Sequence, residues 1–280
     1  MLIEVLDEAL LHSVRIALAE DVGSGDITAA LIPADQSATA SVVCREAAVL
    51  CGMAWFNAVF AELDTGIRID WQARDGDTLA GGQTVCTLTG PARGLLTGER
   101  TALNFLQTLS ATASLARRYA ERVADLPVKI LDTRKTIPGL RAAQKYAVRI
   151  GGCHNHRAGL YDAVLIKENH IAAAGSIAQA VAQAAASNPG KLIEVEVEDE
   201  AGVREALATA ANRLLLDNFT NDALRDAVAL VNGRVELEAS GSFNLDNLRM
   251  AAGTGVDYIS VGGLTKNIQA VDLSMRFDHP

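Results

Sequence analysis

LIEVEVEDEAGVREALATAANRLLLDNFTNDALRDAVALVNGRVELEAS, residues 192–240, contains three short apolar runs separated by two Ala-rich segments of helical character. The runs are LIEVEV (192–197), RLLLDN (213–218) and VELEAS (235–240), and DYISVGG (257–263) continues the series. Their starts fall about 21–23 residues apart, the period of strand and helix alternating in a parallel α/β fold. Two earlier runs, KILDT (129–133) and AVLIK (163–167), have the same texture. Hydrophobic residues make up 49% of the chain and aromatics only 4%, which suits Ala-, Val- and Leu-rich helices packed on a buried parallel sheet.

Each run ends in polar or glycine residues. In order these are Asp132 with Arg134, Lys167, Glu196 with Glu198, Asp217, Ser240, and Gly262 with Gly263. Parallel folds place their sites at the C-terminal ends of strands. An open doubly wound sheet gathers its site at one switch point, so chemistry on all six ends suits a barrel better. The six or seven candidate strands fall short of a complete eightfold one.

The first 98 residues have a different grain. Val5, Leu6, Leu10, Val14 and Leu18 mark an amphipathic helix over residues 1–20. Residues 38–51 alternate like a strand, Ala54–Leu63 suits a helix, and the turn-rich Arg74–Gly90 suggests a small antiparallel sheet. The lone Gly23-x-Gly25 has no strand before it and reads as a turn. After a Gly- and Pro-containing junction (residues 91–98), a long helix begins, with Leu103, Leu106, Leu109 and Leu115 supplying an apolar face. The organisation expected is therefore an α+β unit at 1–98 and an α/β unit at 99–280, whose C-terminal tail can return to the first. Arg100, placed here near the helix start, either pairs with Glu99 or serves an anionic ligand.

Charge is gathered unevenly. The net charge is −9, yet no Asp or Glu occurs from Arg134 through Tyr161, a window holding Arg134, Lys135, Arg141, Lys145, Arg149 and Arg157 beside His154 and His156. Lys167 follows shortly after. Such a block in an acidic chain points to an anion site, and guanidinium forks match carboxylate and phosphate oxygens. A solvated helix face accounts for some of Arg141, Lys145 and Arg149; Arg134, Lys135 and Arg157 sit among turn-type residues beside strand-like runs. The acidic balance argues against a general nucleic-acid binder. No apolar run reaches ~20 residues, so no membrane span is expected. Cys44, Cys51, Cys86 and Cys153 lack zinc or C-x-x-C spacing and read as buried free thiols in a reducing cytoplasm.

Glu194, Glu196 and Glu198 alternate along one strand and so share a face. Carboxylates inside a barrel are costly unless they meet cations, metal or sugar hydroxyls. Glu196 with Asp217 on the next strand could share a divalent ion, most naturally Mg²⁺ working with a phosphate ligand; ion pairing with the basic block is the alternative. ASGS (239–242) and VGG (261–263) end the last two strands, where barrels often build a phosphate nest from backbone N–H groups. Lys167 offers a cation for an anion, or a Schiff-base nucleophile if buried.

Taken together, GERTALNFLQ, LDTRKTIPGLR, KYAVRIGGCHNHRAGLYDAVLIKENH, EVEV, LLLDN, EASG and DYISVGGLT resemble, in order, the quinolinate phosphoribosyltransferase family, or nicotinate-nucleotide pyrophosphorylase (carboxylating). EDVGSGDIT and DGDTLAGGQTV resemble its N-terminal domain. The resemblance implies an N-terminal α/β sandwich, an incomplete α/β barrel, and a homodimer or higher assembly whose site is completed by the neighbouring subunit. It implies transfer of ribose 5-phosphate from phosphoribosyl pyrophosphate to quinolinate with Mg²⁺, giving nicotinate mononucleotide, CO₂ and pyrophosphate in the cytoplasm. By motif, Arg100 (from the partner), Arg134, His156, Arg157 and Lys167 would hold the quinolinate carboxylates. Lys135 would contact phosphoribosyl pyrophosphate, Glu196 and Asp217 would serve the ribose and its metal, and Ser240, Gly241, Ser242, Gly262 and Gly263 would cradle the 5-phosphate. The catalytic set is then Lys135, Lys167, Glu196 and Asp217. Three departures stand out: Cys153 for a third Gly, Glu168 for Asp, and Ser242-Phe243 for a Gly-Ile-like pair. Rival readings are a Schiff-base lyase using Lys167, a phosphoribosyltransferase with another acceptor, and a non-catalytic anion-binding module.

Overall fold

The computed structural model describes residues 2–278, with side chains from residue 8 onward. Along the first part of the chain run α1 (Leu2–Val22), β1 (Ser37–Cys44), β2 (Ala48–Val49), α2 (Met53–Leu63), β3 (Arg68–Trp71), β4 (Thr78–Leu79), β5 (Thr84–Pro91) and α3 (Ala92–Arg122). Then follow β6 (Lys129–Leu131), α4 (Arg141–Ile150), β7 (Ala163–Ile166), α5 (Glu168–Ala174), α6 (Ile177–Ser187), β8 (Leu192–Val197), α7 (Glu200–Ala206) and β9 (Arg213–Asp217). The chain closes with α8 (Asn221–Val231), β10 (Glu236–Ser240), α9 (Leu248–Ala252), β11 (Tyr258–Ser260), α10 (Gly263–Lys266) and β12 (Leu273–Phe277).

Two compact units result: Met1–Arg117 with Ile137–Gly152 and Asn267–Pro280, and Arg118–Thr136 with Cys153–Lys266. A cut at 98/99 is therefore not where the chain divides. The first unit keeps α3 as far as Arg117, because Leu103, Leu106 and Leu109 of that helix pack into its core.

In the first unit an antiparallel sheet has the order β12-β1-β5-β3, so the C-terminal strand lies beside the first. Ala40, Val42 and Cys44 alternate inward along β1. They share a core with Leu10 and Val14 of α1, Trp55, Phe56 and Phe60 of α2, and Leu103, Leu106 and Leu109 of α3. Leu18 packs against that core, whereas Val5 and Leu6 lie outside the side chains described. Residues 38–51 form two strands, β1 and β2, rather than one. Gly151, at the end of α4, lies so close to α3 that a Cβ there would clash with the Ala113 carbonyl oxygen. Lys145 on α4 is buried (5% exposed), so the solvated-face reading fails for it.

The second unit is a parallel sheet, ordered β6-β11-β10-β9-β8-β7. All six runs read from the sequence are its strands, and this is the incomplete (β/α) barrel expected. Local chemistry starts the connecting helices where the strands stop. Ser176, Asp199 and Thr220 each accept a hydrogen bond from the backbone N–H three residues on, capping α6, α7 and α8. After β6 the His154 N–H donates to the Ile130 carbonyl and the Asp132 N–H to the His154 carbonyl, so Leu131 and His154 form a parallel bridge rather than a further full strand. Among the described residues no helix is long and apolar enough to cross a membrane.

Candidate active site

Alternate residues share a face of each strand, and the side chains on one face of β8, β9, β10 and β11 meet in three groups along the strands. At the N-terminal end, Arg213 pairs with Glu236 at 2.8 Å and lies 3.9 Å over the Tyr258 ring, whose hydroxyl donates to Glu236. The middle layer contains Glu194, Glu238 and Ser260, all buried. At the C-terminal end are Glu196, Asp217 and Ser240, the last two being register partners.

His156 enters the middle layer from the loop after the Leu131–His154 bridge. Asp132, fully buried, holds that loop by accepting from the His156 N–H at 2.9 Å and from Asn155 Nδ2 at 2.6 Å. The His156 ring has Nε2 2.8 Å from Glu194 Oε2, and its Nδ1 accepts from the Arg157 N–H at 2.8 Å. Accepting at Nδ1 leaves the ring proton on Nε2, where it donates to Glu194.

Two carboxyls in a dry layer cannot both be charged cheaply. Burial, and then the negative charge of Glu194, push Glu238 up to about 8, so it is protonated at neutral pH and donates to Glu194. Burial also raises Glu194, opposed by the charge of Arg213. The donor atoms of His156, Glu194 and Glu238 lie within 4.8 Å of one another, a spacing a metal could use. Arg213 Nη1, 3.4 Å from Glu238 Oε2, already supplies the positive charge there.

Around the C-terminal layer stand the cations. Lys167, the residue after β7, is ion-paired with Glu196; the side chains are 42% and 11% exposed. A Schiff-base amine must be neutral and desolvated, which this paired, half-exposed ammonium is not. Arg157 reaches the Ala163 carbonyl at 3.3 Å and is lowered from its ordinary value by burial and then by the neighbouring charge of Arg134. Two guanidiniums held close enough to repel are what a site for an anion requires. Lys135 accepts the Thr265 hydroxyl on its carbonyl at 2.8 Å, and a Cβ on Gly262 would lie 3.0 Å from its side chain. Glycine at 262 thus lets Lys135 lie across the end of β11. Asn218 has a left-handed backbone (φ 58) and donates its N–H to the Ser240 carbonyl at 2.9 Å and its amide to Asp217 at 2.8 Å, locking the ends of β9 and β10 together.

The second unit therefore brings together Arg134, Lys135, His156, Arg157, Lys167, Glu196, Asp217, Ser240, Gly241, Ser242, Gly262 and Gly263, on or just beyond the C-terminal halves of its strands. Arg100 belongs to the first unit, is exposed, and sits well inside α3 rather than at its start, so the helix-terminus argument does not apply to it. Glu198 lies beyond the end of β8, exposed. Glu238 and Arg213 were not singled out from the sequence. The signal was present in Glu236, Glu238 and Ser240, which alternate as Glu194 and Glu196 do.

Comparison with known proteins agrees along nearly the whole chain. The profile of the quinolinate phosphoribosyl transferase N-terminal domain matches residues 26–110 and that of the C-terminal domain residues 112–276. A probable nicotinate-nucleotide pyrophosphorylase [carboxylating] of Bacillus subtilis is 43% identical over 257 residues, covering 91% of this chain and 89% of the relative. The chloroplastic Arabidopsis thaliana nicotinate-nucleotide pyrophosphorylase [carboxylating] is 38% identical, covering 95% and 82%. The solved nicotinate-nucleotide pyrophosphorylase of Francisella tularensis superposes with a TM-score of 0.94 at 44% identity, covering 97% of each chain. The sandwich-and-barrel architecture, the ordered motifs and these matches lead to one conclusion: this chain belongs to the quinolinate phosphoribosyltransferase family.

Proposed function

We propose that this chain is a cytoplasmic enzyme that converts quinolinate and phosphoribosyl pyrophosphate to nicotinate mononucleotide, CO₂ and pyrophosphate, the carboxylating nicotinate-nucleotide pyrophosphorylase reaction of NAD biosynthesis. The observation that carries the reading is the facing of opposite charges in one unit. Lys167 is ion-paired with Glu196, Arg157 lies within electrostatic reach of Arg134 and Glu194, and Asp217 ends the strand next to that of Glu196. A diacid needs the cations, and a sugar that becomes cationic needs the carboxylates.

Arg134, Arg157 and Lys167 grip the two ring carboxylates, with Arg100 of a second subunit completing the grip in a homodimer. Lys135 takes the phosphoribosyl pyrophosphate, and the backbone at Ser240, Gly241, Ser242, Gly262 and Gly263 cradles the 5-phosphate. The ring nitrogen donates its lone pair to ribose C1 as the C1–O bond breaks and its electrons leave on pyrophosphate. Glu196 and Asp217 stabilise the positive charge that builds on the sugar. The pyridinium then accepts the electrons of the C2–carboxylate bond; CO₂ departs and a solvent proton replaces it. No covalent enzyme intermediate is needed, so positioning and electrostatics supply the rate.

Glu196 and Asp217 are hard oxygen donors on adjacent strands, a donor set that fits Mg²⁺. When bound, the ion offsets charge on the leaving pyrophosphate. Incubation with labelled quinolinate, phosphoribosyl pyrophosphate and Mg²⁺ tests the reading through nicotinate mononucleotide and CO₂. Transfer to free nicotinate without CO₂ release would replace it by the other-acceptor reading, and binding without turnover by the anion-binding one. Mixing inactive Arg100→Ala with inactive Lys167→Ala chains should revive about one quarter of the sites if subunits share them. No recovery after confirmed chain exchange would place Arg100 outside the shared site.

A further inference from the structure

Resting on the reading above, we propose that Glu194, backed by Glu238 and Arg213, is a positioning residue that fixes the His156 imidazole as its Nε2–H tautomer and thereby seats Arg157. His156 then acts on the substrate through Arg157 rather than by touching it.

The geometry runs in one line through the middle layer. Arg213 Nη1 lies 3.4 Å from Glu238, and the Glu238 carboxyl stands against that of Glu194. Glu194 Oε2 receives the His156 ring at 2.8 Å, with Glu238 Oε2 at 3.5 Å from the same nitrogen. On the far side of the ring, Nδ1 receives the N–H of Arg157 at 2.8 Å. Both nitrogens are thus engaged inside the protein, and a ring tied at both ends has no lone pair or proton left to offer a carboxylate ligand. Its orientation instead sets where the Arg157 backbone lies, and Arg157 is the residue whose guanidinium meets the cation cluster. Glu194 and Glu238 are both fully buried, and one oxygen of each has no conventional donor among the described residues. Buried acids are costly, and nothing in the transfer chemistry calls on this pair. Holding a histidine in one tautomer is a task for which an acceptor-only group is suited.

The test is made on the full-length chain labelled with ¹⁵N-histidine, using long-range ¹H–¹⁵N spectra, with His156 assigned by loss of its signals in His156→Phe. Wild type should show a bare Nδ1 and a protonated Nε2, and saturating quinolinate should leave that pattern unchanged. Glu194→Leu should lose the single tautomer and weaken quinolinate binding, measured by calorimetry, about 10-fold, while the KM for phosphoribosyl pyrophosphate stays put. Glu194→Gln, whose amide oxygen still accepts from Nε2, should restore both. A wild-type ring protonated on Nδ1, or one that changes protonation when quinolinate binds, would overturn the proposal even if Glu194→Leu fails to fold. So would a Gln variant as impaired as the Leu variant. If wild type binds no quinolinate at all, the functional reading fails, while the tautomer comparison still decides what Glu194 does.

Discussion

Replacing Glu238 with Gln should remove a pH dependence of stability that the wild type carries. Glu238 is fully buried, and its carboxyl rises from an ordinary 4.5 to about 8 through burial and the charge of Glu194. His156 and Ser260 pull the other way, and Arg213 stays charged throughout. A carboxyl whose folded pKa lies above its unfolded one favours the folded state most when protonated in both. That advantage is intact below about pH 4.5 and is lost as pH rises toward about 8. The span from 4.5 to about 8 corresponds to about 5 kcal/mol as a ceiling, at about 1.4 kcal/mol per pH unit. Gln has the shape of the protonated acid, can donate to Glu194 and cannot ionise. The two proteins should therefore have matching stabilities near pH 4, diverge steadily in favour of Glu238→Gln as pH rises from about 4.5, and hold a constant difference of up to a few kcal/mol above about pH 8. Urea unfolding followed by far-UV circular dichroism from pH 4 to 9 measures the difference, and subtraction cancels the titrating groups other than Glu194, which is coupled to Glu238. Parallel curves across that range would refute the placement of a neutral acid in this layer.

Lys167→Ala should stay folded, since its partly exposed ion pair is worth at most about 1 kcal/mol, yet lose about 100-fold or more in turnover; wild-type-like rates would remove it from the site. Chelation of Mg²⁺ should abolish turnover reversibly while calorimetry still detects quinolinate, and undiminished turnover in chelator would release Glu196 and Asp217 from their metal role. All four cysteines are buried, and burial pushes Cys86 and Cys153 up to about 12, so Ellman's reagent should label none rapidly in native protein and all four after denaturation.

The barrel half was legible because its strands carry their own signature. LIEVEV, RLLLDN and VELEAS recur at strand–helix spacing, and a buried parallel strand has little freedom to read otherwise. The domain cut was not legible. Residues 92–122 form one uninterrupted helix; the expected return of the C-terminal tail to the first unit takes the form of β12 pairing with β1, a long-range register that no local pattern encodes. The outer site residues were readable as a charge block, but charge alone does not say which cations are solvated. Lys145 is buried on α4, and Arg134 and Arg157 converge although 23 residues apart. Glu238 escaped notice for a different reason. In sequence it is one acid among 34, and only the fold, which brings β8, β10 and the loop after the Leu131–His154 bridge together, puts it beside Glu194 and His156.

That arrangement also explains why an acidic chain can build an anion site. Two of the positive groups there already have a negative neighbour: Lys167 holds Glu196, and Glu194 lies within electrostatic reach of Arg157. Part of the positive charge is thus offset before substrate arrives, and the folded protein is spared a cluster of bare buried cations. A substrate pair bearing both signs can exchange partners within the Lys167–Glu196 bridge, the pyridine carboxylate taking the ammonium while the carboxylate turns to the sugar as it becomes cationic. An anion alone satisfies only Lys167 and leaves Glu196 stranded at 11% exposure, a cost that grows as water leaves. Ground-state binding of a lone diacid is therefore held in check, and the full complementarity of the layer appears only when the ribose carries positive charge, which is where catalysis requires it.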